Sequence, residues 1–363
     1  MAQEVHKQLL EVMRGRGGLY SGMDIPEFYS LVEELFTPEE TEVNNALPKK
    51  PATSRDIAKG MNRDEKEIEE ILEAMADKGL CATFNSDGVR YYRGVPFMVG
   101  IFEYQFLRGG DTERDKEIAK LIYEYKKAYE FVKGRTKITF AVTRVIPVDR
   151  TINVGNTIHT YDQVSTYIEK YDPIGVGTCY CRHAAKLCGE DVHGMPMDVC
   201  MWFGTAAEFA IERLGGRKVT KEEARAILGQ AEEAGLVHMG RNTTQDIDFL
   251  CNCDRWHCEV ITGVLKQPKP GLIFNSGFQP RFNPDLCVAC ETCIERCPAE
   301  ALTLGDNDVP VVNLDRCFGC AVCATGCPED AVVIEAKPDF PIPPKDIEEL
   351  VAALKASKLS QNK

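Results

Sequence analysis

Long apolar runs are what this sequence has least of. The most apolar stretch, Pro96–Leu107, carries Glu103 and is shorter than the roughly 20 residues a bilayer-spanning helix needs. The first residues, MAQEVHKQLLEVMRGRGG, hold no apolar core of the signal-peptide kind. Both absences lead to the expectation of a cytoplasmic protein with no integral membrane segment. Positive charge is also short. Lys and Arg number 43 against 56 Asp and Glu, a formal −13, which counts against nucleic acid as the main partner. Several signatures are missing as well. There is no G-x-G-x-x-G after a strand-like run, no phosphate-binding G-x-x-x-x-G-K-[ST], and no C-x3-C-x2-C. The sequence thus offers no dinucleotide, nucleoside triphosphate or radical-cofactor chemistry to read.

Cysteine, by contrast, is abundant. Sixteen occur in 363 residues, and clustering in a chain of this length suggests metal ligation in a reducing compartment. Eight form two copies of one run, Cys287-Val-Ala-Cys290-Glu-Thr-Cys293-Ile-Glu-Arg-Cys297-Pro298 and Cys317-Phe-Gly-Cys320-Ala-Val-Cys323-Ala-Thr-Gly-Cys327-Pro328. Both are C-x2-C-x2-C-x3-C-P, the run in which three cysteines hold one cubane cluster and the fourth reaches the other. Two-residue gaps let a tight loop present three thiolates to one cube, and the proline turns the chain after the fourth. The expected ligands are Cys287, Cys290, Cys293 and Cys327 for one [4Fe–4S] cluster, and Cys317, Cys320, Cys323 and Cys297 for the second. Zinc ribbons use paired C-x2-C units instead. Residues 281–336 resemble bacterial two-cluster ferredoxins, which implies two short hairpins and two short helices around the clusters.

Seven more cysteines lie upstream in three pieces: Gly177-Thr-Cys179-Tyr-Cys181-Arg182-His183, Val199-Cys200-Met-Trp-Phe-Gly204, and Cys251-Asn-Cys253-Asp-Arg-Trp-His257-Cys258, with Cys188 between the first two. C-x-C is a strained disulfide but a reasonable pair of metal thiolates. The first piece is read at a strand's end, where α/β folds place sites. Cys200 is read at a helix start, where its thiol would ionise more easily. A third site is expected from Cys179, Cys181, Cys200 and Cys253, with Cys188, Cys251 and Cys258 as alternates. It would hold a third [4Fe–4S] cluster, or zinc with His183 and His257 available; buried cysteines without metal are the bland alternative. The combination G-x-C-x-C-R-H, V-C-M-x-F-G and L-C-N-C upstream of a two-cluster module resembles a family of iron–sulfur proteins of anaerobic microbes, over roughly residues 140–336. In that family the third motif is often richer in cysteine, whereas Asp254, Arg255, Trp256 and His257 stand here. His6, His159, His193 and His238 have no partner by spacing.

The expected fold class is α+β multidomain. Residues 1–96 read as helical and winged-helix-like. Thr53 or Ser54 and Asn62 or Asp64 serve as helix caps, Ile68, Ile71, Leu72 and Met75 form a buried stripe, and a hairpin turns at Asn85–Gly88. Residues 97–135 are a helical connector. An α/β cysteine-rich domain spans 136–265, starting with a strand at Lys137–Val148. A proline-rich linker (266–280), the two-cluster domain (281–337) and a tail helix (338–363) follow. In the winged-helix-like segment Asp64, Glu65, Glu67, Glu69, Glu70, Glu73 and Asp77 oppose one Lys66, the wrong charge for a helix facing phosphates. Residues 281–336 carry ten acidic residues against three arginines, a formal −7. The resulting expectation is an electron-transfer protein passing low-potential electrons to or from an oxidoreductase that docks on the acidic face. The alternatives are a ferredoxin-fed reductase with its site in the middle domain, and a redox-sensing winged-helix regulator.

Overall fold

The computed structural model describes residues 2–134, 140–148, 151–152 and 162–361. Helix makes up 44% and strand 17% of it, an α+β chain. It divides into two compact units. One comprises Met1–Thr136, Gly175–His193 and Thr205–Lys218; the other comprises Lys137–Ile174, Gly194–Gly204 and Val219–Lys363.

The first unit opens with helices Ala2–Arg16, Pro26–Leu35 and Pro38–Ala46. Pro26 fits a first helical turn because its missing N–H has no intrahelical acceptor there. Phe28, Leu31, Val32 and Leu35 form the buried stripe, spaced at the helical period. Thr37, Thr53 and Thr112 each close a reciprocal capping box with the acid three residues on, Glu40, Asp56 and Asp115. Helices Ser54–Met61 and Glu65–Asp77 lead into a hairpin of Cys81–Ser86 and Val89–Gly94, with Ser86 opposite Val89. The two turn residues, Asp87 and Gly88, both have positive φ, 51° and 76°, which gives the tight hairpin its twist. Phe28, Phe97, Phe102 and Tyr125, the last from helix Glu113–Lys133, pack ring on ring in the core.

Arginines tie the acidic helix Glu65–Asp77 down. Arg213, on helix Thr205–Arg213, bonds Glu73 and Asp77; Arg90, on the hairpin, bonds Glu73 and Glu212; Arg63 bonds Glu67 and Glu39.

The second unit contains a run of antiparallel strands in the order Thr143–Val145, Val237–Arg241, Phe249–Cys253, Cys200–Phe203. Helices Val164–Lys170 and Lys221–Glu233 belong to it, the second capped by Thr220 with Glu223. Of the strand expected over Lys137–Val148, the described residues form strand at Thr143–Val145, and residues 135–139 lie outside the described ones. His159 also lies outside them. Residues 266–284 carry a short helix, Pro270–Ile273, and a strand, Phe278–Phe282, that pairs with Val332–Ala336. Leu302–Leu304 pairs with Pro310–Val312, and two four-residue helices, Thr292–Glu295 and Val322–Thr325, complete the C-terminal domain before helix Ile347–Gln361. No helix of the described residues is long and apolar enough to cross a membrane.

Candidate metal centre

The thirty-residue repeat is repeated in the hydrogen bonds. Cys287 N–H donates to Asn283 O at 3.1 Å and Cys317 N–H to Asn313 O at 2.9 Å. Asp285 N–H donates to Asn283 Oδ1 and Asp315 N–H to Asn313 Oδ1, at 3.0 and 3.1 Å. Each half also borrows from the other: Asn283 N–H donates to Ala331 O at 2.8 Å, and Asn313 N–H to Ala301 O at 2.7 Å. The loops between cysteines coil through left-handed positions at Ala289 and Glu291 in one copy and Gly319 and Ala321 in the other. At Gly319 the conformation is reinforced by crowding. A Cβ there would lie 2.2 Å from Phe278 O and 2.5 Å from Ser276 Oγ, so only glycine fits.

Cys287, Cys290, Cys293 and Cys327 line one cavity, together with Phe282, Pro310 and Pro328. Cys297, Cys317, Cys320 and Cys323, the second expected set, are also neighbours: the electrostatic surroundings of Cys320 include Cys297 and Cys317, and those of Cys323 include Cys320, Cys317, Cys297 and, from the first motif, Cys293. The two sets differ in depth. Cys290 is exposed, and the Thr292 hydroxyl beside it holds its thiol below the usual value. All four of the second set are buried. Burial pushes Cys293 up to about 11 and Cys320 and Cys323 higher still.

The residues fit an iron–sulfur cluster. Packed thiols that burial holds neutral are a donor set that cationic iron relieves by replacing the protons. Backbone N–H groups already point at the sulfurs. Ala301 donates to Cys297 Sγ at 3.3 Å, Gly319 to Cys317 Sγ at 3.4 Å, and Ala331 to Cys327 Sγ at 3.3 Å. Such bonds stabilise negative charge on a ligand sulfur. Among the described residues, no three His, Cys, Asp or Glu side chains converge closely enough to hold a single metal ion.

The upstream cysteines fall in both units. Cys179 caps helix Tyr180–Leu187, Cys181 lies in its first turn and Cys188 ends it, all in the first unit. Cys200, Cys251, Cys253 and Cys258 lie in the second. Cys200 does not start a helix. It opens the strand Cys200–Phe203, and the helix begins only at Thr205, after Gly204 turns the chain at φ 57°. The strand wins because Met201 and Trp202 pair with Leu250 and Phe249 across the sheet. The thiol therefore gains nothing from a helix N-terminus. One step further along that register, Cys200 stands beside Cys251. None of the sixteen cysteines is disulfide-bonded.

Three features had only faint traces in the sequence. His238 is buried and bonds Asn252 Oδ1 at 2.6 Å through Nδ1, while Asn252 Nδ2 donates to Val199 O at 2.5 Å. Arg255 donates to Cys297 O at 3.4 Å and pairs with Glu300. Arg296 donates to Glu232 O, Glu233 O and Thr325 Oγ1 at 2.9, 3.0 and 3.2 Å. The alternation Cys251-Asn252-Cys253 was the one local cue, since a strand sends the asparagine to the opposite face. His6 is buried 3.7 Å from Glu33, and His193 is exposed beside Asp191. His183 Nε2 lies 2.7 Å from Gly110 O.

C-terminal cysteines gathered in this way define a ferredoxin-like 4Fe-4S domain within the chain. Residues 286–332 match the family model of the 4Fe-4S dicluster domain. No curated protein and no solved structure matches the chain.

Proposed function

We propose that the chain is an electron-transfer protein or subunit that passes low-potential electrons through two [4Fe–4S] clusters. Cys287, Cys290, Cys293 and Cys327 would hold one, and Cys297, Cys317, Cys320 and Cys323 the other. The observation that carries this reading is the interleaving of the two sets, with Cys327 in the cavity lined by the first motif and Cys297 among the cysteines of the second. When bound, each cubane takes up and releases one electron. The protein's part is to bury the second set, to aim N–H donors at sulfur, and to leave the first set near the surface for a partner.

Exposed Glu291 and Glu329 line that cavity, and exposed Glu295 lies two residues after Cys293. A basic face on an oxidoreductase is the complementary partner, and opposite charges steer such encounters. Nucleic acid fits poorly, because helix Glu65–Asp77 carries the wrong charge for phosphate and Arg90 of the hairpin is already bonded to Glu73 and Glu212.

The test is iron, sulfide and zinc analysis after anaerobic purification, with EPR of the reduced chain. About eight iron atoms per chain are expected. Replacing Cys293 by Ala should bring the count to about four and remove one EPR component. Zinc without inorganic sulfide would sink the proposal. About twelve irons would mark a third cluster, for which Cys179, Cys181, Cys200 and Cys253 are the sequence's candidates.

A further inference from the structure

The two halves of the cysteine repeat are covered differently, and the difference falls on one loop. In the second half the loop 317–319 lies under a strap of the same chain, residues 274–278. Asn275 Nδ2 donates to Cys317 O at 2.7 Å, Ser276 N–H to Phe318 O at 3.0 Å, and the Ser276 hydroxyl to Gly319 O at 2.6 Å. Phe274 packs edge-on against Phe318, with ring centroids 5.2 Å apart. The strap thus supplies donors to three consecutive carbonyls and an aromatic neighbour to Phe318, which is left 1% exposed. The first half has the same loop and no strap. Cys287, Val288 and Ala289 stand thirty residues earlier. Among the described residues, no hydrogen bond reaches the carbonyls of these three. Val288, in the place of Phe318, is 60% exposed. The stretch that would strap it by the repeat, residues 304–308, turns back instead to join strands Leu302–Leu304 and Pro310–Val312. Gly305 N–H donates to Val309 O at 3.0 Å and Asp308 N–H to Gly305 O at 3.1 Å.

The side chains around the bare loop differ in kind as well as in exposure. Glu291 stands where the second half has Ala321, and Glu329 where it has Ala299. Both alanines are buried. Both glutamates are exposed, and they line one cavity together with Val288. An apolar centre with a charged rim is the anatomy of a protein interface. Water satisfies the three carbonyls while the loop is bare, and they stay open to a protein donor. Ala289 adds a further difference. Glycine is required at Gly319 because a Cβ there would meet Phe278 O at 2.2 Å. Ala289 takes the same left-handed turn at φ 53°, and its methyl group keeps a covering chain farther out. A cover on the first loop is therefore looser than the strap, which suits a contact that forms and breaks.

We propose that the loop 287–289 receives an extended segment of the redox partner, laid on it as residues 274–278 lie on the loop 317–319. The proposal rests on the docking read above and specifies its chemistry. The segment carries an aromatic side chain that packs on Val288, as Phe274 packs on Phe318. Beside it stand a backbone N–H and a small polar side chain that donate to the carbonyls of Cys287, Val288 and Ala289. Lysine or arginine on either side meets Glu291 and Glu329. A second copy of this chain fits poorly, since its own formal charge is −13.

The probe is a synthetic peptide, Lys-Lys-Phe-Asn-Ser-Gly-Phe-Lys-Lys, with a benzophenone in place of its first phenylalanine ring for cross-linking. A control peptide has Glu at the four Lys positions. Both are added to the full-length, cluster-loaded chain. Fluorescence anisotropy reads affinity, and irradiation followed by mass spectrometry reads position. The basic peptide should bind saturably and label the segment that holds Val288, and the acidic one should bind about tenfold more weakly or worse. Val288→Asp, and Glu291→Lys with Glu329→Lys, should each weaken the basic peptide by about tenfold. Ala289→Gly should strengthen it, by letting the segment approach as closely as the strap does. No saturable binding at millimolar peptide, affinity indifferent to all these changes, or labelling confined to the loop 317–319 overturns the proposal. So does a dimer of the wild type that Val288→Asp abolishes, because a second copy would then be the occupant. Iron is counted in every sample. Fewer than about eight atoms in the wild type sinks the cluster assignment instead, and peptide labelling still reports on the loop separately. The comparison of the two peptides needs no variant, so a misfolded Val288→Asp leaves the test intact.

Discussion

Arg296 holds its positive charge between the helix end at Glu232 and Glu233 and the last turn of the second motif at Thr325. Burial lowers the pKa of this guanidinium and Cys323 raises it, but a guanidinium keeps its proton at any working pH. A fixed cation beside one thiolate set favours the more negative, reduced state of whatever that set holds. Arg296→Gln should therefore lower the potential of one cluster and spare the other, by tens of millivolts for on the order of 1–2 kcal/mol of partly screened Coulomb energy. Arg296→Lys should restore much of the shift. An EPR-monitored redox titration reads both variants; identical potentials in all three proteins would show that the charge is screened. His238 makes the complementary point about what a single residue's spacing hides. Its partner, Asn252, lies directly opposite on the neighbouring strand, and no sequence-local rule pairs residues fourteen positions apart.

At the level of elements, local chemistry was legible and sheet pairing was not. The hairpin Cys81–Gly94 could be read because Asp87-Gly88 supplies the two left-handed positions its turn needs. Helix Lys221–Glu233 could be read because Thr220 and Glu223 announce its start. The strand Cys200–Phe203 could not, since its apolar Cys-Met-Trp-Phe shows no alternation and its strand state comes from Leu250 and Phe249 across the sheet. The loop at Gly319 yields a sharp prediction at this scale. Gly319→Ala places a methyl group against Phe278 O and forces a side chain into φ 67°. The expected cost is roughly 2–4 kcal/mol, with loss of iron from the second set before the first, seen as a lowered unfolding midpoint and a halved iron content. The acidic helix Glu65–Asp77 gives another. With Glu73 and Asp77 held by Arg213, the full chain should show no retardation of duplex DNA at physiological salt; submicromolar, sequence-dependent retardation would revive the regulator reading.

For the whole molecule, charge is concentrated where the clusters are proposed. Residues 281–336 hold a formal −7 of the chain's −13, and part of it is spent internally, Glu300 on Arg255 and Glu335 on Arg281. With the docking proposed above, electron exchange with a basic oxidoreductase partner should slow as salt rises, because screening removes the steering. Reversing Glu291, Glu295 and Glu329 to Lys should slow it in the same way with iron content unchanged, whereas reversing Glu69 and Glu70 should matter little. Stopped-flow rates indifferent to salt and to the three reversals would move the interface elsewhere. The interleaved cysteines also have a consequence for synthesis on the ribosome. With the ligand sets proposed above, the first three cysteines to emerge, Cys287, Cys290 and Cys293, wait for Cys327, the last of the eight. Cys297, already outside, completes the second set as soon as Cys323 follows it. The deeper centre can therefore close first on the nascent chain, and the surface one, finished last, seals the domain.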